Sequence, residues 1–541
     1  MKHIADWIQK HAGILVVGVF FIIHISIMNA YGFTWDFHFH FFGGGKLLGI
    51  SPDVLEPRAL PFVEPDPRLA WTLPYGPLMS IPPVASYLLL YKTLAWLPAD
   101  TSYHLPIVLW GISGIAVLYL FIREAINRRA ALLAAIFLGL TPRYFGDLHN
   151  NMKDVPSAVA FALNIWLLWR LIRHKRLIDL FLAVIGFAVA FNVKINSIFI
   201  PVVFMVWLVV LRVTRAKVRI SAYILAYMLT APVAAFLLWW AFWPDPIGQL
   251  RHAFFTFGVG TNNIEVLLNG AWYCSGSTVP WYYPYWYLAI TTPIPLLAGF
   301  FMGIFSLLGK PGTYKPTILL MLLWFILPLT RYVFPSIGVI DGIRHFEEVV
   351  FPIAALSAIG TDYLLNLIAK RWVRVLIPLT AIGYLIYTVV SFHPYQITYF
   401  NEFVGGAAGA VGNYDLDYWG TSQKAAVEWV NNNAPQNAKV HIVMASAVAG
   451  QYLRPDLIAN LNKYGYDESD FVILLNRQSF FYRFFYAYEY LLYHRPAHII
   501  TVRGAPLTWI YDNRTDNKTP RQTPWWHDED PCIRKYWKGE R

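Results

Sequence analysis

The sequence has little charge and almost no cysteine. Only 14% of its 541 residues are charged and two are cysteine, whereas 57% are hydrophobic. Two cysteines exclude a disulfide-rich scaffold and a thiolate metal cluster. The glycine run Gly43-Gly44-Gly45 lacks the flanking strand and the lysine of a nucleotide-binding loop. Neither internal repeats nor low-complexity segments occur, and so apolar a composition predicts a polytopic membrane protein.

The net charge of +11 does not indicate nucleic-acid binding. The lysine and arginine residues cluster in short connections between apolar runs, as in 123–129, 170–176, 212–219, 310–315 and 370–374. Such clusters mark the cytoplasmic ends of membrane spans, so orientation in the membrane explains the charge.

About eleven apolar runs are long enough to cross roughly 30 Å of hydrocarbon. The first is predicted to be an uncleaved helix, since no small-residue cleavage site follows it. The segment 80–97 is interpreted as a helix along the interface, because it starts with Pro82-Pro83 and a span there would invert the charge pattern. The predicted spans are 12–31, 104–122, 130–142, 156–171, 178–193, 197–211, 220–243, 284–308, 316–334, 346–367 and 375–392.

This topology predicts a transmembrane domain over 1–392 and a water-facing domain over 393–541. The outer face would carry the loops 32–103 and 244–283 and the turns 141–156, 192–197 and 336–345. The second domain reads as α/β, with a helix at 422–432, strands at 439–444 and 471–475, a helix at 480–493, strands at 498–502 and 507–511, and a loosely ordered tail. The aromatic run 280–286 is interpreted as an interfacial belt rather than a sugar platform.

Four outer connections contain ionisable residues, although a charge deep in hydrocarbon costs about 2.5–3.5 kcal/mol. Each has a structural alternative: Asp36 and Asp154 as solvated acids or helix caps, Lys194 as a lysine reaching the headgroups, Arg344 as a lipid-phosphate contact. The groups are Asp36; Asp147, His149, Lys153 and Asp154; Lys194; and Arg344 with His345.

The residues Asp36, His38 and His40 alternate in Asp-x-His-x-His. If this segment were extended, all three side chains would lie on one face and a divalent metal could bind there. A different use of the same acid is as a general base that takes a proton from an acceptor hydroxyl, while nearby cations stabilise a departing phosphate. That combination indicates group transfer from a lipid phosphate.

Several segments resemble the C-type multi-spanning glycosyltransferases of the protein O-mannosyltransferase and aminoarabinose transferase superfamily. The resemblance covers 1–392 and follows the order of the family's motifs. The segments are the Asp36 loop with Tyr75-Gly76-Pro77-Leu78, the turn from Phe145 to Pro156, the helix end from Ala188 to Lys194, and Gly342-Ile343-Arg344-His345-Phe346. The segments 393–402 and 415–420 resemble a bacterial branch.

The resemblance implies a mainly α, polytopic fold and transfer of a sugar from a polyprenyl phosphate with inversion at the anomeric carbon. Its expected partners are the donor, membrane lipid and an acceptor glycan, lipid or protein, at the periplasmic face of a bacterial inner membrane. Asp36 is then the expected general base, with Asp154 organising the site. The donor phosphate is assigned to Lys153, Lys194, Arg344 and His345, and candidate substrate contacts are His38, Tyr75, His149, Asn150, Asp417 and Trp419.

Three further expectations remain open at this stage. Asp417 and Trp419 are more simply explained as a packed hinge between the two domains than as acceptor contacts. Cys274 and Cys532 both fall on the predicted outer face, where a disulfide would persist, and they are predicted to pair. The rival functions are a transporter or flippase, which usually shows two related halves, and an inactive scaffold.

Overall fold

Helices make up most of the protein in the computed structural model, which describes residues 2–51, 76–214, 222–309, 315–484, 490–491, 493–515 and 532. The α-helices up to the last long apolar one are α1 (Lys2–Ile27), α2 (Phe37–Leu47), α3 (Pro77–Ser86), α4 (Ala99–Ala125), α5 (Arg128–Gly139), α6 (Pro142–Asn150), α7 (Asp154–His174), α8 (Leu177–Val193), α9 (Phe199–Val213), α10 (Ala222–Leu238), α11 (Pro246–Val259), α12 (Tyr283–Thr291), α13 (Ile294–Phe305), α14 (Lys315–Leu329), α15 (Val350–Leu367) and α16 (Arg371–Ser391).

Each predicted span has a helical counterpart in the described residues. Seven helices are long and apolar enough to cross a membrane, two bent pairs qualify together, and two shorter apolar helices, α8 and α10, complete the set. The chain is therefore a multi-pass membrane protein. The segment 80–97 is not among the spans; it forms α3 and a π-helical turn, Tyr87–Thr93.

Two predicted elements are broken by proline. The span predicted at 284–308 consists of α12 and α13, which meet at 119° where Pro293 starts the second helix. The turn predicted at 141–156 contains α6, which begins at Pro142 and lies at 58° to α5. Proline lacks the backbone N–H that would continue a helix and is favoured in its first turn. Both breaks give the chain a new direction near the ends of the spans.

The helix α15 is packed tightly against α13 through three glycines. A Cβ atom at Gly303 would lie 2.3 Å from the carbonyl oxygen of Leu356, and one at Gly360 would lie 2.0 Å from that of Gly299. Small residues four apart allow two membrane helices to approach this closely. The consequence is a fixed position for the segment Arg344–Val349, which leads directly into α15.

The chain after α16 forms the α/β domain expected from the sequence, hereafter the C-terminal domain. The elements it contains are α17 (Gly406–Ala410), α18 (Gln423–Asn433), α19 (Ser446–Ala449), α20 (Pro455–Ile458), β3 (Val440–Ile442), β4 (Phe471–Leu475), β5 (His498–Val502) and β6 (Ala505–Asp512). The strand order is β3-β4-β6-β5, with β3 and β4 parallel and the remaining pairs antiparallel. The two-residue turn between β5 and β6, Arg503-Gly504, has positive φ at both positions, as type I′ hairpins require.

The helix predicted at 480–493 is wrong in its first part. The structure has a 3-10 helix there, Gln478–Phe484, and residues 485–489 lie outside the described part of the chain. Because aromatic residues occupy most positions there, the hydrophobic pattern did not distinguish a 3-10 helix from an α-helix. The predicted loose tail also lies almost wholly outside the described residues.

The C-terminal domain packs on one end of the helical body, which we call the domain face. The ammonium of Lys424 lies 2.8 Å from the Asp100 carboxylate at the start of α4 and donates to the carbonyl of Asn29. A hairpin of β1 (Glu265–Leu268) and β2 (Ala271–Cys274) lies on the same side. Cys274, at its end, forms a disulfide with Cys532.

Replacing Gly360 with alanine is expected to destabilise the protein, because the added methyl group must separate α13 from α15. We expect a loss of about 1–3 kcal/mol, the usual cost of overpacking. The matched control is Gly383→Ala on α16, where a Cβ meets nothing within 4 Å and alanine is the better helix former. Thermal unfolding in detergent measures both. A midpoint for Gly360→Ala at or above that of Gly383→Ala would contradict the packing argument.

Candidate functional site

The carboxylate of Asp36 lies at the centre of a charged cluster on the domain face. Asp36 precedes α2, and its side chain makes no cap hydrogen bond to that helix. One of its oxygens instead pairs with the ammonium of Lys153 and lies 3.2 Å from the guanidinium of Arg344. The side chain is 27% exposed, whereas those of Lys153 and Arg344 are nearly buried. Asp36 is therefore held by two nearly buried cations and remains accessible to an incoming group.

The two cations set the charge state of Asp36. Burial on its own raises the pKa of this carboxyl, but Lys153 and Arg344 outweigh it and hold the pKa well below its ordinary range. The carboxylate is therefore ionised throughout the physiological pH range.

Asp154 and Lys194 form a second, more buried ion pair. The ammonium of Lys194 lies 2.6 Å from one oxygen of Asp154, and Asn151 donates to the other oxygen at 2.9 Å. The sequence places both at helix ends: Asp154 begins α7, and Lys194 is the extended residue that ends α8. Lys194 therefore does not reach toward the headgroups, and Asp154 does not cap its helix with its side chain.

Arg344 is held from its other side by Asp341. The two side chains are 2.9 Å apart, and the second oxygen of Asp341 lies 2.7 Å from Arg477 of the C-terminal domain. Asp341 and Gly342 both have positive φ, which turns the chain sharply so that Asp341 and Arg344 face each other. Arg477 could not be predicted from the sequence, since its partner is far away in the chain, whereas Asp341 was missed although it lies three residues before Arg344.

Trp419 covers the two cations of the cluster. Its ring lies 4.7 Å from the Arg344 guanidinium and 5.6 Å from the Lys153 ammonium, distances at which cations are attracted to the ring face. Its carbonyl accepts a hydrogen bond from the N–H of Trp35. The C-terminal domain thus contributes one wall of the site.

Three further polar side chains lie buried beside this cluster. Asp147 is fully buried with neither carboxylate oxygen hydrogen-bonded, and one oxygen of Glu347 and the amide of Asn150 are likewise without hydrogen-bond partners. Asn151 links this group to Asp154, because its amide also lies 3.5 Å from Glu347. Glu347 was not predicted as a site residue, although an acid directly after Arg344-His345-Phe346 indicates one in the sequence.

The remaining predicted residues have different surroundings. His149 contacts His24 at 2.9 Å and stacks on Tyr31, so it packs α1 against α6. His345 is partly buried, with its Nε2 atom enclosed and without a hydrogen-bond partner. Asp417 accepts four hydrogen bonds from Thr421 and Ser422, which corresponds to the hinge alternative rather than to an acceptor contact. The prediction for Tyr75 lies outside the described residues.

The metal hypothesis for Asp36, His38 and His40 rested on an extended segment, which is wrong. Residues 37–47 are α-helical, so alternate side chains point to different sides. Burial lowers the pKa of His38 to about 4 and that of His40 to about 3. Across the described ranges, no three His, Cys, Asp or Glu side chains are grouped to hold a metal ion.

An apolar cavity of about 600 Å³ opens between α1, α5 and α16. Its walls are aliphatic apart from Phe20, Phe145 and the polar residues His393 and Gln396 at one end. Gln396 accepts a hydrogen bond from Tyr31, the ring that stacks on His149. The cavity therefore ends next to the domain face.

Replacing only the cation of the buried Asp154–Lys194 pair should destabilise the protein more than replacing both residues. Lys194→Met leaves the Asp154 carboxylate, 3% exposed, with the Asn151 amide and no ammonium. We expect a loss of about 3 kcal/mol of stability, and recovery of most of it in Lys194→Met/Asp154→Asn, whose amide is neutral. Thermal unfolding in detergent measures the three proteins. Equal midpoints for the single and double variants would show that an unpaired Asp154 carboxylate does not destabilise the fold.

Comparisons with known proteins agree with the expected family. Residues 80–240 match the family model described as dolichyl-phosphate-mannose-protein mannosyltransferase. A Bacillus subtilis (strain 168) protein named "Putative mannosyltransferase YkcB" is 27% identical over 142 residues, which cover 26% of this chain and 20% of that protein. The chain thus aligns with about a fifth of the length of that relative.

Solved structures of two enzymes align with most of the chain at low identity. ArnT from Cupriavidus metallidurans bound to undecaprenyl phosphate covers 94% of this chain and 99% of its own, at 12% identity and a TM-score of 0.47. The apo state of the same enzyme covers 95% of this chain and 99% of its own, at 11% identity and a TM-score of 0.49. The oligosaccharyltransferase AglB from Archaeoglobus fulgidus, in complex with an inhibitory peptide and a dolichol-phosphate, covers 85% of this chain and 62% of its own, at 13% identity and 0.39.

The matched region contains three residues of the cluster, Lys153, Asp154 and Lys194, while Asp36 and Arg344 lie outside it. Together with the multi-pass helical architecture, the family match confirms the resemblance inferred from the sequence. Residues 80–240 are thus similar to the family of dolichyl-phosphate-mannose-protein mannosyltransferases, the family that the sequence motifs resemble.

Proposed function

We propose that the protein transfers a sugar from a polyprenyl phosphate to a hydroxyl group of an acceptor, with Asp36 as the general base. The observation that carries the proposal is the half-open Asp36 carboxylate held between Lys153 and Arg344 at the edge of the membrane helices. A family described by transfer from dolichyl-phosphate mannose supports a lipid-phosphate donor.

The donor phosphate is assigned to Arg344 and Lys153, with Lys194 and His345 behind them. Arg344 has a planar guanidinium suited to phosphate oxygens, and Lys153 provides a compact charge. Lys194 retains two N–H donors beyond the one directed at Asp154. His345 has an enclosed ring nitrogen without a hydrogen-bond partner that could contact the same group. Asp154 organises the site by fixing Lys194.

The proposed reaction is a single displacement. The acceptor oxygen attacks the anomeric carbon, the bond from that carbon to the phosphate oxygen breaks with its electron pair, and the hydroxyl proton passes to Asp36. Lys153 and Arg344 stabilise the charge that returns to the phosphate. A bound phosphate also offsets their effect on Asp36, which raises the pKa of its carboxyl toward the range of a useful base.

The acceptor side of the reaction is assigned to the domain face. There the site meets Trp419 and the C-terminal domain. The charge pattern of the connections directs this face away from the cytoplasm, and we propose that it faces the periplasm of a bacterial cell. The acceptor could then be a glycan, a lipid or a protein that is presented at the outer surface.

A transporter or flippase is the rival function. Buried charges in a transporter lie along a path near the bilayer midplane, between related halves. Here the paired groups Asp36, Asp154, Lys194 and Arg344 adjoin one another at a single end of the helices. This arrangement favours chemistry at the surface.

The test of the proposed function is transfer of radiolabelled sugar in reconstituted vesicles, with a panel of polyprenyl-phosphate sugars and acceptors. Asp36→Asn keeps the size of the side chain and removes the base. We expect about 10²–10⁴-fold slower transfer, the usual contribution of a general base. Retention of the variant in the membrane with a cooperative melting transition above the assay temperature controls for folding. Full activity of Asp36→Asn would exclude the base, and absence of transfer by the wild type with measurable flux would favour the transporter.

The pH dependence tests the role of Lys153 separately. In the free enzyme the pKa of Asp36 is held low, so kcat/KM, which reports the free enzyme, should not fall through this group between pH 7 and 5 in the wild type. In Lys153→Met only Arg344 and the neutral His40 remain beside the carboxyl, and burial raises its pKa. The acid limb of the rate profile should therefore move to higher pH.

Lys153→Arg retains the positive charge and serves as the control, so its acid limb should remain where the wild type has it. An acid limb at the same pH in Lys153→Met and Lys153→Arg would show that Lys153 does not control the ionisation of Asp36.

A further inference from the structure

We infer that Arg477 of the C-terminal domain is a positioning residue for the reaction, and that it acts through Arg344 and the segments beside Asp36 and Trp419. The inference rests on the proposed function, because it concerns how that site is held. Arg477 touches none of the reacting groups itself. Its role follows from the three neighbours that it joins.

The first neighbour is Asp341. One terminal nitrogen of Arg477 lies 2.7 Å from an Asp341 oxygen, while the other Asp341 oxygen lies 2.9 Å from Arg344. Asp341 therefore has one oxygen for each arginine. If Arg477 is lost, both oxygens turn to Arg344 and compete with Asp36 for that guanidinium.

The second and third neighbours flank the site directly. The other terminal nitrogen of Arg477 donates to the carbonyl of Tyr418 at 3.1 Å, one residue before Trp419. Its guanidinium plane lies 4.9 Å from the ring of Trp35, one residue before Asp36. A single side chain, 5% exposed, thus contacts the ring of the residue before the base, the counter-ion of the phosphate-binding arginine, and the carbonyl of the residue before the covering tryptophan.

Lysine cannot reproduce this arrangement. Two terminal nitrogens of a planar fork reach two separate acceptors while the plane lies against a ring, whereas an ammonium is one point of charge. Arg477→Lys therefore keeps the charge and removes the geometry. Only a role in positioning makes this conservative change harmful.

The matched control is Arg483→Lys. Arg483 lies in the 3-10 helix Gln478–Phe484, which directly follows Arg477, and like Arg477 it packs on Phe480, at 4.7 Å and 3.7 Å respectively. It joins the C-terminal domain to Glu265 of the β-hairpin at 2.7 Å. It bridges the same two parts of the protein without touching Asp341, Tyr418 or Trp35 in any described contact. A general weakening of docking should therefore appear in both variants, whereas displacement of Asp341, Tyr418 or Trp35 should appear in Arg477→Lys alone.

The first experiment is a double-mutant cycle on sugar transfer. We expect Arg477→Lys to lower kcat/KM for the donor by about tenfold or more, as small displacements in a site do. Arg344→Lys should lower it too, and the two together should lose little more than Arg344→Lys alone, because both act through one group. Arg483→Lys should remain within about twofold of the wild type. The inference would be overturned if the losses in kcat/KM of Arg477→Lys and Arg344→Lys multiplied in the double variant, or if Arg477→Lys and Arg483→Lys lost equally. Either result would leave the proposed function standing.

The second experiment does not depend on activity. Hydrogen–deuterium exchange of the protein in nanodiscs should accelerate in Arg477→Lys at the peptides covering 33–42 and 338–349, and not in Arg483→Lys. Unchanged exchange at both peptides would overturn the inference. If the wild type transfers no sugar, the proposed function fails, and this measurement alone decides whether Arg477 holds the segment around Asp36.

Discussion

A charge at the edge of a membrane domain is stable only where a charge of opposite sign lies within a few ångströms. Removing one partner of such a pair costs more than the pair contributes, since it leaves a charge in a medium that solvates it poorly. In this protein Asp36, Lys153 and Arg344 share one contact, and Asp154 and Lys194 share another. These contacts hold together four segments: the first loop, the connection before α7, the end of α8 and the entry to α15.

The local structure of each segment serves that constraint. Lys153 and Asp154 stand at the start of α7, and Lys194 stands where α8 gives way to an extended residue. The close packing of α13 on α15 fixes the height of Arg344 relative to the other helices. The base that we propose is therefore positioned by rigid helix ends, although it lies itself on a connection. The C-terminal domain completes the cluster through Trp419 and Arg477.

The sequence was informative wherever a signal is local. Apolar length and basic connections predicted eleven spans, each with a helical counterpart, and the order of motifs pointed to the family that the match over 80–240 confirms. The charged residues singled out near the helix ends include all five residues of the three ion pairs. Their partners could not be predicted, because Asp36 and Arg344 are separated by more than half of the chain. Arg477 was missed for the same reason, whereas Asp341 was missed although its partner Arg344 is only three residues away.

The local errors have local causes. The Asp-x-His-x-His pattern fits a strand as well as a helix when every neighbour is aromatic. The metal hypothesis assumed an extended segment, whereas the structure begins α2 at Phe37. Pro293 divides a run whose hydropathy alone reads as one span. Asp417 is not one of these errors, because the sequence favoured a packed hinge there, and the four hydrogen bonds from Thr421 and Ser422 agree with that alternative.

The central claim is that an acceptor hydroxyl displaces the phosphate of a lipid-linked sugar in one step, with one ionised carboxylate beside two cations as the general base. The anomeric configuration of the product, determined by NMR after transfer from a donor of defined configuration, tests this claim most directly. The account predicts a product of the opposite configuration, since the acceptor attacks from the face opposite the phosphate. A product with the configuration of the donor would require two displacements and a nucleophile on the protein, and would contradict the account.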